Sequence, residues 1–395
     1  MLSIEPLDSL ILDLPPSCIE FWPVNPKFAL IGTYNLEKQE ASQDAEDGSN
    51  TIVADIAAVK KTQQRNGSLV LLRVGAENIA VLQTLPTPSA ILDIHFAPSY
   101  QPPSVFGVAT STGSIGLYQF TGSQNHDPSM SSSSDAEPSI SHLRTCQYFP
   151  EDVLVTAFAW HPSRPAVAMS LSSGEISLGG ISGETTNATL CTHDLEAWTI
   201  AFTPDGLGLY SGGDDSTLRF SDVAANLQCV LDESSIFHSG DLKMPWTDKR
   251  IHGAGVTAIL PVVVEGREDL VLTGSYDDRI RLLELPPIGR RTVLAELSLG
   301  GGVWRLKLLD LKTAPTSADE QCSILLLASC MHAGARILRL SQSASGSWHF
   351  DILARFEKHK SMNYGSDCQP QLAENGKRAF VTTSFYDRLV CLWQY

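Results

Sequence analysis

The chain has 395 residues, with 44 acidic against 28 basic side chains, a net charge of −16, and 29 glycines with 22 prolines. That length accommodates several ordinary domains or one large repeat fold, the glycine and proline content points to many turns, and the acidity excludes a general attraction to nucleic-acid phosphates or anionic lipid. No apolar run approaches the roughly 18 residues of a membrane span, the opening MLSIEPLDSLILDLPPSC lacks the basic and apolar regions of a signal peptide, and eight cysteines without a CxxC pair give no disulfide framework or zinc ribbon, so we expect a soluble cytoplasmic monomer with free, mostly buried thiols.

An internal repeat organises the sequence. Residues 4–14 read as a lone strand. "FALIGTYNL" and "GSLVLLRV", within residues 28–74, form a first copy split by a polar insertion, expected as a disordered loop over 37–66. "ILDIHFAPS" and then "FGVATSTGSIGLYQF" make a second, followed by another expected disordered insertion over 122–141 that contains "SMSSSSDAEPS". "VTAFAWHPS" with "AVAMSLSSGEISLGG" and "AWTIAFTPD" with "LYSGGDDSTLRFSDV" are the third and fourth. "VTAILPVVV" with "VLTGSYDDRIRLLEL", "VWRLKLLDL" with "LLASCMHAGARILRL", and the closing "AFVTTSFYDRLVCLWQY" complete the set.

Each copy has a β-rich run ending in small residues, a polar tight turn and a second run of alternating apolar residues; the upstream strand often ends in FxP or WHPS. This grammar resembles the WD-repeat family, whose unit is a four-stranded blade of roughly 40 to 45 residues. Seven copies imply an all-β, seven-bladed propeller occupying residues 1–395 as a single domain. The closing WD dipeptide has decayed to Ser221-Asp222, Leu283-Glu284 and Trp393-Gln394. The last copy ends after its third strand, so we expect residues 4–14 to supply its outer strand and close the ring, which removes exposed sheet edges.

In the fold so implied, the turn between second and third strands and the connection into each next innermost strand share one face. That face gathers residues 193–198, Asp214-Asp215, His252, Tyr276-Asp277-Asp278, residues 300–304, Met331-His332, residues 359–367 and Tyr386-Asp387. WD repeats use turn aspartates and loop histidines to pin their blades, so Asp215, Asp278 and Asp387 read as structural, with His193 and His252 as partners; His161 in WHPS reads as a turn residue. "CMHAG" departs from that pattern, since His332 stands where a turn aspartate is usual, and an imidazole can act as general base near neutral pH. No G-x-S-x-G elbow, Walker lysine, HExxH or dinucleotide fingerprint is present. Gly300-Gly301-Gly302 lacks the helix N-terminus that would make it a phosphate loop.

Several strings together resemble one WD-repeat family, the diphthine methyl ester hydrolases, also called diphthine methyltransferases: "SAILDIHF", "HDLEAWTIAF", "YSGGDDSTLR", "TGSYDDRIRLLE", "GGGVWRLK", "CMHAGARIL", "YGSD" and "SFYDRLVCLW". The resemblance covers roughly residues 89–395 and implies removal of the methyl ester from methylated diphthine on translation elongation factor 2, with that factor as partner; we expect no cofactor and assign no metal ligand. Ester hydrolysis needs a nucleophile, a base and an oxyanion stabiliser. We expect His332 as base, water, a rim hydroxyl or Cys330 as nucleophile, and the Gly301 and Gly302 amides as oxyanion donors. Tyr276, Trp304, Tyr364 and Tyr386 would form an aromatic wall for a trimethylammonium; Asp277 or Glu196 would add charge, and Trp198 and Asp367 would complete the rim. The alternative is the default for such propellers, a non-catalytic scaffold for protein–protein interaction.

Overall fold

Short runs rich in β-branched residues, separated by tight turns, favour antiparallel hairpins, and four such strands recur seven times. The computed structural model describes residues 2–36, 64–121, 137–182, 185–231, 243–312, 320–373 and 375–395. From the channel outward, blade 1 comprises Pro16–Phe21, Phe28–Thr33, Arg65–Val74 and Ile79–Thr87, and blade 2 comprises Ile91–Phe96, Val105–Thr110, Ser114–Thr121 and Ser139–Gln147. Blades 3, 4 and 5 begin at Val155–Trp160, Ala197–Phe202 and Val256–Val264, and blade 6 at Arg305–Lys312. The helix Ala224–Leu231 follows the third strand of blade 4 and buries Leu227 and Val230 against blade 3.

Blade 7 is assembled from both ends of the chain. Ser366–Cys368, Ala379–Ser384 and Leu389–Gln394 form its inner three strands, and Asp8–Ile11 pairs antiparallel outside them, from Asp8 opposite Leu392 to Ile11 opposite Leu389. The expected closure is therefore present. It extends one blade further than expected, because Leu2–Ser3 pairs in parallel with the outer strand Trp348–Phe356 of blade 6. Ile4 and Leu12 are buried on either side of this staple. Ile4 joins a cluster with Trp393, whose ring stacks on Phe380 at 4.3 Å and Phe356 at 5.2 Å.

The two polar insertions are shorter than their sequence suggested. Residues 37–63 and 122–136 lie outside the described residues, but Arg65 and Asn66 pair with Leu36 and Asn35, and Ser139 pairs with Thr121. A ladder is made by backbone groups, so it runs on into polar sequence as long as its partner strand lasts. No disulfide joins any of the eight cysteines, and six of them are buried. Among the described residues, no helix is long and apolar enough to cross a membrane.

Deleting residues 2–12 should open the seam between blades 6, 7 and 1. Loss of buried Ile4 and Leu12 alone removes about 2 kcal/mol each, before any ladder bonds are counted. We expect a lower urea midpoint and increased aggregation in size-exclusion chromatography; an unchanged midpoint would mean that the staple is dispensable.

Candidate functional site at the channel mouth

The site is built from a register rule that six of the seven blades share. The first residue of the turn after each second strand faces the channel mouth, and its backbone N–H donates to the residue leading into the innermost strand. Tyr34 donates to Pro15, Ser111 to Ala90, Ser172 to Leu154, Asp214 to Glu196, Tyr276 to Gly255 and Phe385 to Met362. By strand register, Met331 holds this position in blade 6, since Ser329 pairs with Ala335 as Gly274 pairs with Ile280 and Gly212 with Leu218. The next turn residue faces away from the channel and pins the blade. Asp215 takes this role in blade 4, accepting from the Asp194 and Thr217 amides at 3.0 Å and bonding His193 Nδ1 at 3.0 Å.

This rule sorts the expected site residues. Trp304 is the hub of an aromatic rim: its ring lies 4.9 Å from Tyr364, 5.6 Å from Trp198 and 6.1 Å from Tyr276. Tyr364 continues to Phe385 at 5.4 Å, and Phe385 to Tyr34 at 6.2 Å and Tyr386 at 5.1 Å. Tyr386 is 70% exposed and forms the outer lip. Tyr34 and Phe385 were not anticipated from the sequence. Glu196 is exposed beside Trp198.

Asp214, which the sequence places on the mouth face without a role, is the carboxylate that joins this rim. The Trp198 indole donates to its Oδ1 at 2.7 Å, and the same oxygen lies beside Gly255. Burial pushes the Asp214 carboxyl above the usual carboxylate range; the indole bond takes back part of that rise, and the negative charges of Glu196 and Asp215 add to it. The position was legible as the equivalent of Tyr276, one residue before the pinning aspartate.

Several expected roles are corrected. Asp277, not Asp278, pins blade 5. Its carboxylate takes two bonds from Arg281, at 3.0 and 2.7 Å, and one from the Gly253 amide at 2.9 Å, so it is committed to the blade and not offered to the mouth. Asp278 adopts a left-handed φ of 66° in the turn. Asp367 is 2% exposed, accepts from the Phe21 amide at 2.7 Å and pairs with Lys307, which ties blade 7 to blades 1 and 6. Cys330 is fully buried, and burial pushes its thiol up to about 12, which removes it as a nucleophile. His332 occupies the outward pinning position one residue past Met331; it is exposed and has no hydrogen-bond partner among the described residues, so no carboxylate orients its ring.

The three glycines have separate reasons. Gly300 supplies a left-handed turn with φ 82°. A Cβ on Gly301 would sit 2.4 Å from the Cys330 carbonyl, and one on Gly302 would sit 2.7 Å from Met331 Sδ and 3.2 Å from the Tyr276 ring. The backbone thus passes close under the rim, and neither amide finds an acceptor among the described residues.

His193, His252 and His359 act as blade pins. His193 Nε2 meets Ser211 at 2.9 Å, His252 meets Thr273 at 2.9 Å and His359 meets Thr382 at 2.8 Å. His161 accepts from the Ser163 and Arg164 amides as a turn residue should. Among the described residues, no group of three metal-ligating side chains is placed to hold an ion.

A WD domain, G-beta repeat family model matches residues 184–222. The chain is 29% identical to the Diphthine methyltransferase of Schizosaccharomyces pombe, over 85% of this chain and 87% of that one, and 25% identical to the Diphthine methyltransferase of Saccharomyces cerevisiae, over 98% and 97%. The human Diphthine methyltransferase is 26% identical over 96% of this chain and 78% of its own length. Among solved structures, a chain of the Mitotic Checkpoint Complex superposes with a TM-score of 0.61 at 15% identity, covering 100% of this chain and 93% of that one. Sqt1 from Chaetomium thermophilum, bound to the N-terminus of the ribosomal protein L10, gives 0.56 at 15% identity, covering 96% and 97%. These structural likenesses establish the propeller alone.

The pinning imidazoles set a pH dependence. Burial lowers His252 and His359 to about 4, against 6.5 for a free imidazole. The unfolded chain therefore takes up protons first. The stability these groups give is complete above about pH 6.5 and is lost as pH falls toward 4. The urea midpoint should drop across that window, and His359→Gln should flatten the drop; an equal slope in the variant would exclude His359 as a contributor.

Proposed function

The chain belongs with the diphthine methyltransferases, a WD-repeat family, and on that premise we propose that it hydrolyses the methyl ester of methylated diphthine on translation elongation factor 2. The observation that carries this reading is the aromatic rim of Trp198, Tyr276, Trp304 and Tyr364 with Asp214 at its edge. A quaternary ammonium has no N–H to donate. It is held instead by aromatic faces and nearby negative charge, and this mouth supplies both on rigid blade ends.

The chemistry follows from the position of the ester next to that ammonium. Asp214, its affinity for a proton raised by burial and by Glu196 and Asp215, takes a proton from a water molecule as the water oxygen adds to the ester carbonyl. The negative charge that develops on the carbonyl oxygen is met by N–H donors such as the Gly301 and Gly302 amides. The intermediate collapses with cleavage of the bond to the methoxy oxygen, Asp214 returns its proton to that oxygen so that methanol leaves, and the carboxylic acid gives its remaining proton to solvent to become the carboxylate. Asp214 takes the role that the sequence alone suggested for His332, because its indole bond orients it at the edge of the rim.

Incubation with elongation factor 2 carrying methylated diphthine should release methanol and lower the factor's mass by one CH2 unit. Intact binding without that mass change would leave the chain a scaffold. Trp304→Ala should raise KM about tenfold, the effect of losing a partly desolvated cation–π contact. Asp214→Asn should lower kcat about 100-fold, in keeping with loss of a general base, while His332→Ala stays within about threefold of the parent, as for an exposed surface residue. The reverse pattern would return the base to His332.

A further inference from the structure

Below the aromatic rim, the channel carries charges that the rim does not need. Arg305, the first residue of the innermost strand of blade 6, reaches across the ring to blade 2, where its Nη2 donates to Asp93 Oδ1 at 3.2 Å. Asp93 is buried and also receives the Phe158 amide of blade 3 at 3.3 Å and His95 Nε2 at 3.1 Å. His95 in turn meets Glu20 of blade 1 at 2.9 Å through Nδ1. Burial pulls the His95 imidazolium down, but Asp93 and Glu20 outweigh it and lift it to about 10, so both ring nitrogens donate at neutral pH. Glu20 of blade 1 and His95 and Asp93 of blade 2 thereby anchor one side of the Arg305 guanidinium.

The other side of that guanidinium is open. It has five N–H donors, and Asp93 takes one of them among the described residues. Arg305 and Tyr364 both line a cavity of about 230 Å³ under the mouth, and the guanidinium carbon lies 5.6 Å from the Trp304 ring centroid. Lys307, the neighbouring channel cation, is taken up by Asp367. An ammonium seated against Trp304 would place a substituent on its adjacent carbon toward Arg305.

We propose that Arg305 binds the ester carbonyl, and then the carboxylate formed from it, so that the mouth selects a quaternary ammonium bearing an acyl group on the neighbouring carbon. This rests on the esterase reading for its catalytic part. A guanidinium fork matches a carboxylate and a charging carbonyl oxygen, and its hold strengthens as negative charge grows in the transition state. Asp93, with His95 and Glu20 behind it, is the positioning group.

The test separates binding from turnover. Tetramethylammonium and trimethylglycine carry the same kind of cationic head, and only the second adds an α-carboxylate. Titrations followed by NMR should show the parent protein preferring trimethylglycine by about tenfold or more, as expected for one charge-assisted contact. Arg305→Gln should abolish that preference while keeping tetramethylammonium affinity, and should lower kcat on the ester about 100-fold with KM within about threefold. The proposal is overturned if Arg305→Gln keeps the preference or full kcat, if it loses both probes in parallel, or if the parent binds neither probe. Should Arg305→Gln not fold, Arg305→Lys retains the charge without the fork; it should keep tetramethylammonium binding and lose most of the preference, and an intact preference overturns the fork contact. If the parent shows the preference and Arg305→Gln loses it, yet no ester is cleaved, the esterase reading fails while the anion-reading role of Arg305 stands.

Discussion

Ring closure is the constraint from which the mouth follows. Four residues of the N-terminal strand, Asp8–Ile11, complete blade 7, and contacts across the seam then fix blade 7 against blade 1. Arg388 donates to the Asp13 carbonyl at 2.9 Å, Gln369 to the Pro26 carbonyl at 2.8 Å, and the Phe21 amide to Asp367 at 2.7 Å. Tyr34 and Phe385, 351 positions apart in sequence, become ring neighbours at 6.2 Å only because this seam is shut. The aromatic rim and the guanidinium that crosses the channel both draw on residues from opposite sides of the closed ring. Neither would survive as a site in an open stack of blades.

The fold was legible because propeller grammar is local. Strand, turn and strand recur within a short span, and the hydrophobic alternation of each hairpin is complete in itself. The site was legible in part, for a physical reason. Aromatic residues at blade entrances, such as Trp304 and Tyr364, stand out against the small residues usual there. Carboxylates do not, because two adjacent turn positions both take aspartate and face opposite ways. In "GGDD" the first aspartate, Asp214, enters the mouth and the second, Asp215, pins the blade; in "YDD" the tyrosine enters, Asp277 pins, and Asp278 turns the corner. A one-residue shift in that alignment exchanges function for structure. It offered Asp277 as the charge at the mouth and gave Asp214 no role. The same alignment places Met331 at the mouth and His332 outside it. The Arg305 to Asp93 bond spans 212 residues and has no local signature at all.

Electrostatics divides the molecule into layers. The chain as a whole is strongly acidic, at −16, but the channel pairs its charges closely: Arg305, His95 and Lys307 stand against Asp93, Glu20 and Asp367. The mouth above them holds Asp214 with Glu196 beside it, and no cation is paired to Asp214 among the described residues. A cationic head is therefore favoured at the rim and an anionic group just beneath it. That order of charges along the channel axis matches a quaternary ammonium with a carboxyl group one carbon away.

A crystal structure of the protein with an elongation factor 2 peptide bearing methylated diphthine tests this account most directly. The ammonium should lie among Trp198, Tyr276, Trp304 and Tyr364, with the acyl oxygen within hydrogen-bond reach of Arg305. A head group bound on the opposite face of the propeller would contradict it.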